Sequence, residues 1–296
     1  QRHHRQGRAD AHFLLQQGVP AFDVLHFQGE NIPAFVRLKR DDPAKCMPGY
    51  DYDVIDMEAL LTRTSVDADG SIALPEGARY RVLSLVPHDA VSLPALQHIA
   101  RLVEQGATLV GPRPGRPYSL SGGDESLRAF TALCDRLWGA GDAGEKKTGR
   151  GRVIWGRTTR EVLQGDGVSA DFAWTGGDAE TYIDFIHRRT DDTHFYYVAN
   201  RNPRAESVEL AFRMTGLVPE IWDPVTGARR EATRYRFEGG RTILPYDFAA
   251  DESFFVVFRK PAAAAPNGAP NKPAYQPLAT LEGPWSGLGR PRVHDV

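Results

Sequence analysis

Apolar residues recur along this chain with two different periods, and the change of period divides it. Up to about residue 155, short apolar runs alternate with stretches whose apolar positions fall three and four apart, whereas from Tyr182 onward only short runs with turn signals remain. Residues 9–18 read as a short helix, with Phe13, Leu14 and Leu15 on its apolar face and Gly18 at the left-handed position that ends it. Residues 21–27 have the aromatic and β-branched content of a strand that Gly29 breaks. A helix is expected over 53–63, with Ile55, Leu60 and Leu61 facing a sheet, and a second strand over 80–86, stopped by Pro87. Ser92 can cap a helix with Pro94 in its first turn, Leu96, Ile99, Leu102 and Val103 along one face, and Gly106 at its end. A strand over 107–110, a helix over 127–138 and a short strand over 152–155 complete this half.

Strand, helix, strand units with short connections make right-handed crossovers in a mostly parallel sheet. Residues 1–175 are therefore expected to form a Rossmann-like, mostly parallel α/β layer. Short runs at 183–187, 194–199, 208–213, 220–222, 233–237, 241–244 and 253–259 predict an antiparallel β-sandwich over 176–260. Asp223, Pro224 and Gly227 mark a hairpin turn within it. Residues 261–277 have the Ala, Pro, Asn and Gly content of a linker, and a strand-like stretch near Trp285 opens what reads as the truncated start of a further β domain, 261–296 in all. The opening Gln1, without an initiator Met or a secretory apolar segment, likewise reads as a truncation.

Composition narrows the function classes. The chain has 296 residues, 41% of them hydrophobic, and a net charge of −2. That supports sizeable cores and gives no global field for gripping a nucleic-acid backbone. No apolar run reaches the roughly 18 residues of a membrane span. Two cysteines, Cys46 and Cys134, allow at most one disulfide.

The candidate chemistry sorts by elimination and position. Gly139 and Gly144 have the first spacing of a phosphate-binding loop, but Glu145 stands where its Lys belongs, so a solvated loop is expected there. Cys46 lies in a Pro-rich loop and Cys134 inside a predicted helix, neither being the strand-end turn of a nucleophile elbow. His3 and His4 have no cysteine partners for a zinc site. Glu30 follows Gly29 just past the carboxyl end of a predicted strand, where α/β folds place reactive groups; the plain alternative is a solvated loop glutamate. Tyr50, Asp51 and Asp53 alternate aromatic and acidic residues in a pattern that can stack on a sugar and bond its hydroxyls. Equally, Asp53 can be a helix cap and Tyr50 a packing residue.

Several runs, in this order, resemble the bacterial α-L-rhamnosidases of glycoside hydrolase family 106. They include Phe13 to Gly18, Asp23 to Glu30, Gly49 to Ile55, Tyr80 to Leu83, Gly106 to Pro112, Gly151 to Gly156, Tyr197 to Arg201 and Ile221 to Gly227, with Gly283 to Trp285 continuing the resemblance. It implies a large, multi-domain bacterial enzyme, periplasmic or secreted, whose catalytic barrel lies mostly before this segment and whose β-sandwich domains follow it. It also implies an inverting hydrolase that removes terminal α-L-rhamnose from plant-type glycans, with a calcium ion in the sugar pocket. The matching Gly-Glu motif carries Glu30 over as the carboxylate that activates water. Its partner acid would lie upstream, and the segment alone would be inactive. Calcium ligands are not assigned; Glu30 and Asp51 offer oxygen donors. A non-catalytic carbohydrate-binding or scaffold module remains the alternative, because no second well-placed acid is apparent.

Overall fold

The computed structural model describes residues 12–30, 36–85, 90–119 and 121–272. Val86, the first eleven residues and the expected strand near Trp285 lie outside them. The first half is built on β1 (Val24–Phe27), β2 (Tyr52–Ile55), β3 (Val82–Leu85), β4 (Thr108–Val110), β5 (Gly144–Thr148) and β6 (Gly151–Trp155). Their order in the sheet is β5-β6-β4-β3-β1-β2. All pairings are parallel except β5 with β6.

Strands buried on both faces explain their near-continuous apolar content. Leu25, Phe27, Leu83, Leu85, Leu109 and Val153 share one core with the helices α1 (Met57–Arg63), α2 (Leu93–Gln105) and α3 (Gly123–Leu137). Val24, Val82, Val110 and Ile154 face the other way, toward Ala44, Cys46, Tyr50 and α4 (Thr159–Gly165). So the connection from β1 to β2 crosses one face, the helices between β2 and β6 cover the opposite face, and α4, after β6, returns to the first. This is what right-handed crossovers require when the parallel strands run β2-β1-β3-β4-β6 and the winding direction reverses between β1 and β3.

The helix over Leu93–Gln105 forms as the sequence predicts: Ser92 Oγ accepts the Ala95 N–H, and Gly106 ends it at φ +130°. Three expectations need correction. The run 53–63 divides into β2 and α1, with Asp56 rather than Asp53 as the cap. The run 80–86 divides at Arg81, Arg79–Tyr80 pairing in a small three-stranded sheet before β3 begins. The expected loop around Lys146 and Lys147 is β5, an antiparallel edge strand whose charged residues suit an exposed sheet edge. The turn of helix α4, held by a Thr158–Glu161 capping box, has no counterpart in the expected elements.

From β7 (Phe172–Gly176) the structure is antiparallel: β8 (Ile183–Arg189), β9 (His194–Asn200), β10 (Glu206–Phe212), β11 (Leu217–Trp222), β12 (Arg229–Glu231), β13 (Arg236–Glu238), β14 (Arg241–Phe248) and β15 (Ser253–Pro261). One sheet runs β8-β9-β15-β11-β12, with Val19–Pro20 added at the β8 edge, and the other runs β7-β10-β14-β13. Phe172, Phe185, Tyr196, Phe212, Leu244, Val256 and Phe258, drawn from both sheets, fill a single core. Of the expected run 233–237 only Arg236 and Phe237 lie in a strand, β13, while β12 precedes the run. Cys46 and Cys134 are buried free thiols. No described helix is long and apolar enough to cross a membrane.

Candidate active site at the carboxyl edge of the parallel sheet

In a doubly wound sheet, the strand order reverses at one point, and the loops leaving the two strands there diverge to opposite faces. The crevice between them, outside the carboxyl ends, is where such folds bind ligands. Here that point lies between β1 and β3, and Glu30 stands three residues beyond β1. Gly29 makes this possible: its φ of +83° is a turn that a side chain strains against. Glu30 is half-buried, and its Oε2 accepts the Ser92 main-chain N–H at 2.7 Å. Ser92 is the cap of α2, the helix that follows β3, so one carboxylate joins the two sides of the crevice. Its Oε1 has no hydrogen-bond donor among the described residues.

The other three predicted site residues lie elsewhere. Because β1 and β2 are parallel with Val24 opposite Tyr52, Tyr50 and Asp51 precede the strands and sit at the amino edge. A four-residue strand separates the two edges by about 13 Å, so these residues and Glu30 do not converge. Tyr50 is 1% exposed, its ring packed in the core and its hydroxyl donating to Val168 O at 2.6 Å. Burial raises its hydroxyl above the usual range. Asp51, 4% exposed, accepts from Lys39 Nζ at 2.7 Å and from Tyr52 N–H at 3.0 Å. Burial lifts it to about 6 in spite of Lys39. Lys39 also pairs with Asp184 at 3.1 Å, donates to Phe185 O, and lies over the Phe185 ring, tying this edge to β8. Asp53, within β2, accepts from Tyr80 Oη at 2.6 Å; burial raises it and that hydrogen bond opposes the rise.

Sequence reasoning did not find a second set of amino-edge residues. Asp23, 4% exposed, is held by Arg213 at 2.9 Å and Arg81 at 3.1 Å. Arg213 also stands 3.5 Å from Asp171, which accepts from Tyr196 Oη at 2.8 Å and pairs with His187 at 2.8 Å. Burial pushes Asp171 up, but His187 and Arg213 outweigh it and hold it below the ordinary carboxylate range. His187 in turn meets His194 at 2.9 Å, and burial, followed by the neighbouring His187, lowers His194 to about 4. Every carboxylate of this edge is thus engaged from within the chain. The one sequence signal for the Glu30 partner is negative: the capped helix α2 has no acidic residue in its first turn to take the Ser92 N–H.

Among the described residues, Glu30 and Asp51 do not together make a calcium site, since they lie at opposite edges of the sheet. Both Asp51 oxygens are occupied, one of them by an ammonium group, and one Glu30 oxygen by an amide. No cluster of three or more His, Cys, Asp or Glu residues among those described could hold a metal.

Comparison with known proteins agrees with the family resemblance carried by the sequence motifs. A family model described as alpha-L-rhamnosidase, glycoside hydrolase family 106, matches residues 7–237. The solved rhamnosidase of Novosphingobium sp. PP1Y is 34% identical and superposes with a TM-score of 0.77, covering 94% of this chain and 26% of that one. A protein of Formosa agariphila named "Putative beta-glucuronidase" is 32% identical over 262 residues, 86% of this chain and 21% of that protein. The chain spans about a fifth to a quarter of the length of these relatives. It belongs to glycoside hydrolase family 106, the alpha-L-rhamnosidase family.

Proposed function

We propose that this chain is part of an inverting α-L-rhamnosidase in which Glu30 is the base that activates water. The observation that carries the reading is the position of Glu30: at the strand-order reversal, half-buried, with one oxygen anchored and the other without a donor among the described residues. Inversion needs a carboxylate to take a proton from the attacking water and an acid to protonate the leaving oxygen, with the two held roughly 6.5–9.5 Å apart. Glu30 takes the water proton as the new C–O bond forms. The acid comes from the part of the enzyme's length that this chain does not span.

The substrate is a glycan with terminal α-L-rhamnose of the plant type, and the enzyme works in the periplasm or outside the cell, where such glycans are met. Residues 1–175 act as a Rossmann-like unit adjoining the barrel and 176–260 as a β-sandwich; the first part of the expected linker packs back on that sandwich, Asn271 being buried and bonded to Thr233, Arg234 and Pro245. Tyr50, Asp51 and Asp53 support this unit from below rather than touch the sugar, a reading favoured by their burial and internal partners.

The test uses a polypeptide carrying this chain with its upstream sequence. Hydrolysis of an aryl α-L-rhamnoside by Glu30→Gln is expected to fall about 1,000-fold, within the range of losing a general base, and NMR of the first-formed sugar is expected to show the β anomer. Undiminished turnover by Glu30→Gln would overturn the role of Glu30, and an initial α anomer would overturn inversion. Tight binding of rhamnose oligosaccharides without turnover in any such polypeptide would favour a binding module instead.

A further inference from the structure

We infer that Ser92 is a positioning residue for Glu30, acting through its main-chain N–H; the inference rests on the reading of Glu30 as the base. A capping box has two halves: the cap side chain takes the N–H of the third helical residue, and an acid at that third position returns to take the N–H of the cap. Helix α4 contains both halves locally, Glu161 Oε2 accepting from Thr158 N–H at 2.7 Å and Thr158 Oγ1 accepting from Glu161 N–H at 3.2 Å. Helix α2 has only the first half. Ser92 Oγ accepts from Ala95 N–H at 3.3 Å, but Ala95 occupies the place of the acid and cannot return the bond.

Glu30 supplies the missing half from 62 residues away, at the same 2.7 Å as the local box. The start of α2 steers it there. Pro94 has no N–H, and those of Ala95 and Leu96 are taken by Ser92 Oγ and Ser92 O. The Ser92 amide is thus a donor open to an outside carboxylate. It is fixed by a 13-residue helix with a buried apolar face, so it cannot follow the carboxylate as a flexible side chain would. One oxygen of Glu30 is pinned, which restricts where the other, without a donor among the described residues, can lie. A general base gains from that restriction, because a misplacement of about 1 Å costs on the order of 100-fold in rate.

The backbone offers a clean way to remove the donor. Ser92 has φ −69° and ψ 153°, the conformation that proline prefers, and it follows a residue in extended structure, as proline requires. Ser92→Pro therefore deletes the N–H without forcing the chain, together with the Oγ cap. Ser92→Ala deletes the cap alone, so the comparison of the two isolates the N–H.

In a polypeptide that includes the upstream sequence, kcat of Ser92→Pro on an aryl α-L-rhamnoside is expected to lie about 30-fold below that of Ser92→Ala, with KM equal within about twofold, the signature of an interaction that matters only at the transition state. Equal kcat in the two variants overturns the inference and leaves the base reading standing; full activity in Glu30→Gln overturns the base reading itself. Should Ser92→Pro fail to fold, hydrogen exchange of the Ser92 amide decides. Exchange is expected to be slow in the unaltered protein and in Glu30→Gln, whose amide oxygen still accepts, and about tenfold faster in Glu30→Ala. Equal exchange in all three overturns the inference.

Discussion

The two edges of the parallel sheet carry the same kind of residue and use it oppositely. At the amino edge, Asp23, Asp51 and Asp171 are almost fully buried and saturated by Arg213, Arg81, Lys39, Tyr196 and His187. At the carboxyl edge, Glu30 has, among the described residues, a single main-chain partner and stays half-buried. An acid-rich, aromatic-rich motif such as Tyr50 to Asp53 is thus not in itself a sign of chemistry. Carboxylates that are bonded on every side hold two layers together, whereas one with an oxygen in reserve can accept a proton from something else.

That contrast can be broken at several points. The largest effect is expected from Arg213→Met, which removes the cation Asp23 and Asp171 share and leaves Asp23 with Arg81 and Asp171 with His187 and Tyr196. Removing one member of a buried ion pair leaves an uncompensated charge, and unfolding in urea is expected to show a loss of about 4 kcal/mol. An unchanged midpoint would mean that the amino-edge carboxylates do not hold the two layers together.

Lys39→Met comes next, at about 3 kcal/mol near pH 8, and its pH dependence has a definite sign. Asp51 sits at about 6 when folded, above its ordinary value of 3.8, so the folded state binds the proton more readily than the unfolded chain. Its contribution to stability therefore grows as pH falls through 6 and shrinks as pH rises. Without Lys39, the lowering influence on Asp51 disappears and the neutral form is favoured further. The cost of the substitution is expected to be at least halved at pH 5, as read from denaturation at the two pH values, and a cost independent of pH would contradict the pairing. Tyr80→Phe is the smallest: it removes the hydrogen bond to Asp53 and is expected to cost about 1 kcal/mol, with hydrolysis unaffected.

Much of the fold was legible because its signals are local. Ser92, Pro94 and Gly106 bracket α2, and the apolar runs of the second half reappear as antiparallel strands. β2 was misread because Asp53 to Leu61 places apolar residues at helical spacing across what is in fact a strand buried on both faces and the helix after it. β5 was missed because an edge strand made of Gly-Glu-Lys-Lys-Thr needs no apolar face. That Glu30 lies just past a strand end was legible from Gly29. The role of the amino edge was not, since Arg213 meets Asp23 across 190 residues and Lys39 meets Phe185 across 146. Such partners are set by how the two layers pack, and no local pattern encodes them.

The most direct test compares Glu30→Gln with Asp51→Asn in the same upstream-extended polypeptide, measuring both rhamnoside hydrolysis and unfolding free energy. Glu30→Gln is expected to lose about 1,000-fold in kcat while keeping its stability within about 0.5 kcal/mol. Asp51→Asn is expected to lose about 2 kcal/mol of stability by leaving the half-buried Lys39 with Asp184 as its one carboxylate partner among the described residues while its folded fraction turns over at the original rate. The reverse pattern, hydrolysis lost with Asp51 at full stability and retained with Glu30→Gln, would contradict the account and move the chemistry to the other edge of the sheet.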